Sequence, residues 1–466
     1  MLERDSASCG WSHRASTQDE AIMQRAVLSA TLSLALVASL FAVHVQGAVP
    51  LAARVSRLEM VAPGRVRVDV AVDGLQPALL PTMVARMTVN GQSTEGWPFP
   101  VVAAHTPAVI DLPAGRVRVG GDASVAEFTP VPPLTQDLPI ALEVTVRQGD
   151  QTVTAKQTGV LLLPIVIVPG YMNHMGRPNT AAISILQQRG YRSTGASPSL
   201  FWFTYTSRRL DLEAASHALA AYVRSEVLPK TYAARINVVG YSLGGLLVRW
   251  NIAFEPGWDR LVSRFVMVGV PNEGVVMPYV YGWYTVTSSL ARTPAARNLL
   301  PTFPFWRSAH DAPWCLPPDV RNRQMDTLNA HPLPDTIRAY AMYGNRPLDS
   351  DGRGTWAGIT GELPRAAFSY GPGDGIVLTA SVLGLPINGG VGLPGFADRL
   401  VMKVDLGTVG HLSLLESAMP RIADVLADET SASGNGGPRG EMRGRAHAGD
   451  GRIGMWFPEA RFAETR

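Results

Sequence analysis

A chain of 466 residues is longer than one small core needs, so one to three domains are expected. Hydrophobic residues make up 46% and charged residues 17%, which excludes a disordered chain and fits a globular protein with ample buried core. A net charge of +3, without basic runs interleaved with aromatics, excludes a typical nucleic-acid binder, and two cysteines exclude a disulfide framework.

Residues 1–22 are polar, mixed in charge and predict no fold. Met23-Gln24-Arg25 then leads into the apolar run Ala26 to Val43, which closes at Val45-Gln46-Gly47-Ala48 with small residues near a cleavage position. This is the layout of a secretory signal over about 23–47 within a 1–47 leader, with Met23 as the start. It predicts an exported protein, secreted or held at the cell surface. At about 18 residues the run also reaches the lower edge of a membrane span, so an uncleaved anchor is the alternative. Cys9 lies before the signal, and Cys315 reads as a small buried hydrophobe.

Between residues 50 and 160 short alternating segments follow one another. Val66–Val72, Met83–Val89, Arg116–Val119 and Ala141–Val146 have the period of half-buried strands, and Asp73-Gly74, Asn90-Gly91 and Gly149-Asp150 punctuate them as turns. Many short strands without a helical pattern predict a small all-β sandwich of immunoglobulin-like type. Nothing in it carries chemistry.

From residue 161 to about 428 strands alternate with helices. Ile165–Val168, Leu200–Tyr205, Ala234–Val239, Arg264–Val270, Ile337–Tyr343 and Leu400–Val404 read as strands, the most apolar of them as buried ones. Residues 178–190, 211–228, 246–253 and 414–426 read as helices. The alternation predicts an α/β domain with a mostly parallel central sheet covered on both faces.

An insert at about 272–335 interrupts this order. Eight of the chain's 35 aromatics fall within residues 272–316, over twice the share its length predicts, so the segment is no ordinary polar loop. It reads either as a helical insert with its own small core or as a lid and acyl-binding cap, and the two can hold together. As a cap it would make any contact with a membrane or lipid surface. After residue 428 the chain turns rich in Gly, Ser, Arg and Pro, and 429–466 reads as a disordered tail.

The chemistry centres on Gly240-Tyr241-Ser242-Leu243-Gly244-Gly245, a G-x-S-x-G motif with a strand before it and a helix after it. A nucleophile on so sharp a turn needs glycines where the backbone crowds. The helix after the serine aims its first amides at the developing oxyanion. Serine needs a base, and the base an orienting acid, here in the order Ser, acid, His. Of nine histidines, His174, His217, His310 and His331 precede the last strands, whereas His411 follows the final one. Asp374, between Gly373 and Gly375, is the favoured acid, with Asp349, Asp351 and Asp405 as competitors. The amides of Tyr171, after the first core strand, and Leu243 are the expected oxyanion donors, with Met172 as the near alternative to Tyr171. Met172, Tyr241, Tyr279 and Trp283 are candidates to line a substrate pocket. No C-x-x-C or H-E-x-x-H supports a zinc site, and no cofactor is called for. Gly390-Val391-Gly392-Leu393-Pro394-Gly395 matches G-x-G-x-x-G, but Pro394 sits inside it and no helix is expected after it, so it reads as a loop.

With these residues in place, the chain resembles the α/β-hydrolase superfamily. Within it the chain is similar to secreted lipases and the lecithin:cholesterol acyltransferase-like group. The matches are VPGY at 168–171, GYSLGG at 240–245, GVPNEG at 269–274, GDGIV at 373–377 and GH at 410–411, over roughly residues 161–428. The resemblance implies a triad of Ser242, Asp374 and His411. It also implies a lipase or carboxylesterase acting on acyl esters, lipids above all, through an acyl-enzyme. The chain departs from many lipases in carrying Pro169-Gly170 in place of His-Gly, and Tyr241 in place of His before the serine. An acyltransferase, or a surface binding protein working through its sandwich, is the alternative reading.

Overall fold

The computed structural model describes residues 50–76, 81–89, 91–93, 96–100, 105–119, 124–171, 180–206, 209–275, 294, 298–302, 322–345, 372–387 and 390–427. The leader, the tail, most of the aromatic insert, Met172, Tyr279, Trp283, Cys315, Asp349 and Asp351 lie outside these residues.

The first part is built of two antiparallel sheets. One has the order β1 (Ala52–Ala62), β2 (Arg65–Asp73), β6 (His105–Asp111), β7 (Arg116–Val119) and β8 (Ser124–Glu127). The other runs β10 (Gln151–Leu161), β9 (Leu138–Gln148), β3 (Thr82–Val89) and β4 (Gln92–Ser93), with β5 (Trp97–Pro100) also on β3. Burial alternates along β2, β3 and β9 as the period of two requires. Val66, Val68, Val70, Met83, Met87, Ile110, Val144 and Val146 from both sheets share one core.

A segment just before β9 stitches these sheets to the second part of the chain. Leu134 pairs with Ala233, and the Tyr232 hydroxyl donates to Val131 O at 2.5 Å. Asp137 Oδ1 accepts from Leu163 N at 2.6 Å, and its Oδ2 lies 3.7 Å from Nη1 of Arg264, a side chain with no exposed surface.

The second part holds a six-stranded, wholly parallel sheet ordered β12 (Leu200–Trp202), β11 (Ile165–Val168), β13 (Ile236–Tyr241), β14 (Val262–Val268), β15 (Arg338–Tyr343) and β16 (Leu400–Asp405). Every residue of β11, β13 and β14 is buried, which is what two covered faces demand. On one face pack α2 (Leu212–Tyr222), α3 (Leu243–Phe254), α4 (Trp258–Leu261), α5 (Arg323–Asn329), α6 (Thr379–Leu383) and α7 (Phe396–Arg399). On the other lie α1 (Thr180–Gln188) and α8 (His411–Ala427).

Adjacent strands β11 and β13 therefore send their following helices, α1 and α3, to opposite faces. In open parallel sheets ligands generally bind outside the carboxyl ends of two strands that diverge in this way.

Three expectations need correction. The helix expected over 211–228 is α-helical only to Tyr222; a π turn (Val223–Val227) and a 3₁₀ turn (Leu228–Lys230) finish it, because Pro229 cannot donate to the ladder. The strand expected over 200–205 ends at Trp202, although Phe203 N still donates to Ile167 O at 3.0 Å. A helix does follow the glycine-rich 390–395 segment: α7 starts on Gly395, whose φ is +69°. It leads into β16 rather than opening from a strand, so it lacks the strand-to-helix setting of a dinucleotide site.

Candidate active site

The chain reverses from β13 to α3 in a single residue, Ser242. Its φ is +52°, the one positive value outside glycine among the described residues. A side chain there costs of the order of 1 kcal/mol and persists only when the surroundings enforce it. They do so from two sides. Ser242 N donates to Val268 O at 2.9 Å, so β14 holds the start of the turn. The first turn of α3 lies against β11 so closely that a Cβ on Gly244 would stand 2.2 Å from Val168 O.

His411 opens α8, after the loop that leaves β16. Its Nε2 lies 2.9 Å from Ser242 Oγ and its Nδ1 2.7 Å from Asp374 Oδ2. A carboxylate only accepts, so Nδ1 carries the hydrogen and Nε2 is left to accept from the serine hydroxyl. The other oxygen of Asp374, Oδ1, accepts from the amides of Ile376 (3.0 Å) and Val377 (2.7 Å). Gly375, at φ +91°, makes that turn. His411 N donates to Asp374 O at 2.9 Å, so backbone and side chain both join the two residues. All three side chains are buried.

The structure thus brings Ser242, His411 and Asp374 into one hydrogen-bonded line at the end of the switch-point strand. Of the competitors, Asp405 is committed to a turn, accepting from Gly407 N and Asn345 Nδ2. His217 pairs with Glu255 on the surface, and His331 contacts Thr327 O within a helix turn.

The amide of Leu243 belongs to the first residue of α3, beside Ser242. Gly170, the residue before Tyr171, also lies close to the serine: a Cβ on it would stand 3.3 Å from Ser242 Oγ. These are the two amides that the motifs nominate.

Tyr241 requires a correction. Expected to line a substrate pocket, it is buried on the α8 face of the sheet. Its hydroxyl donates to His411 O at 2.7 Å, and its ring stacks on the imidazole with 5.2 Å between centroids. Burial, reinforced by Asp374, pushes its hydroxyl pKa up, so it stays a donor. Those contacts make it a support for the histidine.

The loop after β14 holds a network that motif reading passed over. Gly269, at φ +56°, leaves room for Asp374 and His411: a Cβ there would meet Asp374 Oδ2 and His411 Cε1 at 3.2 Å. Arg249 on α3 donates to Asn272 Oδ1 (3.0 Å) and Asn329 Oδ1 (3.1 Å). Glu273 N donates to Ser381 Oγ. The Glu273 carboxyl is buried and its Oε1 has no hydrogen-bond partner. Burial pushes its pKa up to about 7, with Arg249 opposing, and burial lowers Arg249 to about 9. The pattern GVPNEG carried no hint of this, because the partners Asn329 and Ser381 lie far along the chain. Among the described residues no group of three or more His, Cys, Asp or Glu could hold a metal ion.

No protein-family model matches the sequence. No curated protein matches it. Solved structures do resemble the fold at low identity. One is a lipase from Bacillus licheniformis, 17% identical, covering 57% of this chain and 91% of its own, with a TM-score of 0.38. A lipase B from Aspergillus fumigatus is 16% identical over 57% of this chain and 63% of its own, with a TM-score of 0.28. An esterase from Pyrococcus furiosus is 13% identical over 62% of this chain and 87% of its own, with a TM-score of 0.28.

Proposed function

We propose that this protein is a serine ester hydrolase of the α/β-hydrolase superfamily. The observation that carries the reading is the line Ser242 Oγ, His411 Nε2, His411 Nδ1, Asp374 Oδ2, with spacings of 2.9 and 2.7 Å, on a serine held at positive φ. A structural serine needs neither the strained turn nor a buried imidazole backed by a carboxylate.

His411 Nε2 takes the Ser242 proton as Oγ attacks the ester carbonyl carbon. Asp374 stabilises the imidazolium and fixes its tautomer. The oxyanion is held by the amides of Tyr171 and Leu243. When the tetrahedral intermediate collapses, the C–O bond to the alcohol breaks and the alcohol leaves with the proton from Nε2. Water, deprotonated by the same nitrogen, then attacks the acyl-enzyme and releases the acid and Ser242.

The finer reading rests on sequence. The signal-like run at 23–47 supports export, and the aromatic-rich insert supports an acyl-lipid substrate and a lipase of the secreted, lecithin:cholesterol acyltransferase-like kind. We take the first part as an immunoglobulin-like sandwich that braces the hydrolase domain. A fluorophosphonate probe tests the site. Covalent labelling at Ser242, lost in Ser242→Ala, is expected; a folded protein that takes up no probe contradicts the reading.

A further inference from the structure

We propose that Tyr205 is a positioning residue for the oxyanion hole, an inference that rests on the ester-hydrolase reading above. Tyr205 follows the end of β12 and is buried in the α3 face of the sheet. Its hydroxyl lies 3.3 Å from Pro169 O and 3.3 Å from Gly170 O, two successive carbonyls of the loop after β11. The Gly170 carbonyl belongs to the same peptide unit as the Tyr171 amide. In a trans peptide the C=O and N–H point in opposite directions, and the described residues contain no cis bond. A donor that captures Gly170 O therefore turns the Tyr171 N–H away from Tyr205.

The loop needs such a hold. Gly170 has little rotational restraint of its own, and a Cβ on it would lie 2.8 Å from Ser242 Cβ, so residue 170 must remain glycine beside the nucleophile. The peptide plane after it must be fixed from elsewhere. Tyr205 is suited to this. Its ring stacks on Phe203 at 5.4 Å with an 8° interplanar angle, which fixes where the hydroxyl stands. Burial pushes its pKa up, so the hydroxyl keeps its proton and remains a donor. Preorganised donors help catalysis because they need no reorientation as charge develops. Loss of the hydroxyl removes this hold on the Gly170–Tyr171 plane without touching Ser242, His411 or Asp374.

The experiment compares wild type, Tyr205→Phe and Phe203→Leu, with activity expressed per site titrated by the fluorophosphonate. It measures kcat and KM for a p-nitrophenyl ester, affinity for an alkyl boronic acid that mimics the tetrahedral intermediate, and Tm. For Tyr205→Phe, kcat should fall roughly tenfold and boronate affinity by a similar factor, with KM unchanged. Phe203→Leu, which loosens the ring but keeps the hydroxyl, should lower Tm and cut kcat and boronate affinity by less than Tyr205→Phe does. A Tyr205→Phe variant within twofold of wild type in kcat and boronate affinity overturns the proposal. So does one whose activity falls only with its folded fraction. Wild-type protein that neither turns over esters nor takes up the probe instead overturns the ester-hydrolase reading.

Discussion

Glu273, in the loop after β14, shows how a single buried side chain can weigh against a fold. Its folded pKa, about 7, lies above the ordinary value of 4.5. Below pH 4.5 both folded and unfolded chains hold the proton, so the residue is neutral to stability. Between 4.5 and 7 the unfolded chain gives up its proton while the folded chain keeps it, and stability falls as pH rises. Above 7 the penalty is complete. Glu273→Gln should therefore match wild type near pH 4 and exceed it by about 1–2 kcal/mol at pH 8 in urea unfolding. An equal difference at both pH values would contradict the account. Sequence alone nominated Ser242, Asp374 and His411 by order and by local motif, and the structure sets Ser242 and Asp374 within hydrogen-bond reach of His411. It could not identify the parts played by Tyr241 or Glu273. Their partners, His411 and Arg249 among them, come from elements that no short pattern connects.

At the scale of elements, the site depends on how tightly α3 lies against the sheet. Gly244 faces Val168 O at 2.2 Å and Pro169 O at 2.5 Å from an added Cβ, and neither oxygen can turn aside as a flexible side chain would. Gly244→Ala should thus lower stability by about 3 kcal/mol or more and disturb the Val168–Gly170 backbone beside the serine. Thermal denaturation checks it, and a change below 1 kcal/mol would show that the helix has room to move. The strand-turn-helix was legible because apolar β-branched residues, Gly-x-Ser-x-Gly and a run of helix formers stand side by side. Strands such as β1, β6 and β10 were not. In β10 exposure still alternates, but the inward positions include Gln157 and Gly159, so the sequence shows no apolar alternation there. The short α7 was missed because Pro394 and Gly395 read as loop, although left-handed Gly395 caps that helix.

Across the whole molecule, the all-β part and the parallel sheet are joined by more than a covalent link. Asp137 lies at the seam, accepting from Leu163 N and facing the fully buried Arg264 on β14. A guanidinium so placed is tolerable only beside a compensating charge, and removal of one partner of a buried pair is far more damaging than loss of a surface one. Asp137→Ala should cost roughly 2–4 kcal/mol in chemical denaturation. Loss of the exposed Arg189–Asp424 pair by Asp424→Ala should cost less than about 1 kcal/mol. Comparable losses would mean that Asp137 carries no special burden at the seam. The switch between two-residue and helical periods was visible in the sequence, but this seam was not, since it depends on residues 127 positions apart in the chain.

The reading proposed for this protein stands or falls with Ser242 as an ester-cleaving nucleophile. Steady-state hydrolysis of p-nitrophenyl esters from short to long acyl chains, by wild type and by Ser242→Ala with matching Tm, tests it most directly. Turnover by wild type and a loss of at least about 10⁴-fold in the variant are expected. Equal hydrolysis by both proteins, or none by folded wild type on any chain length, would contradict it.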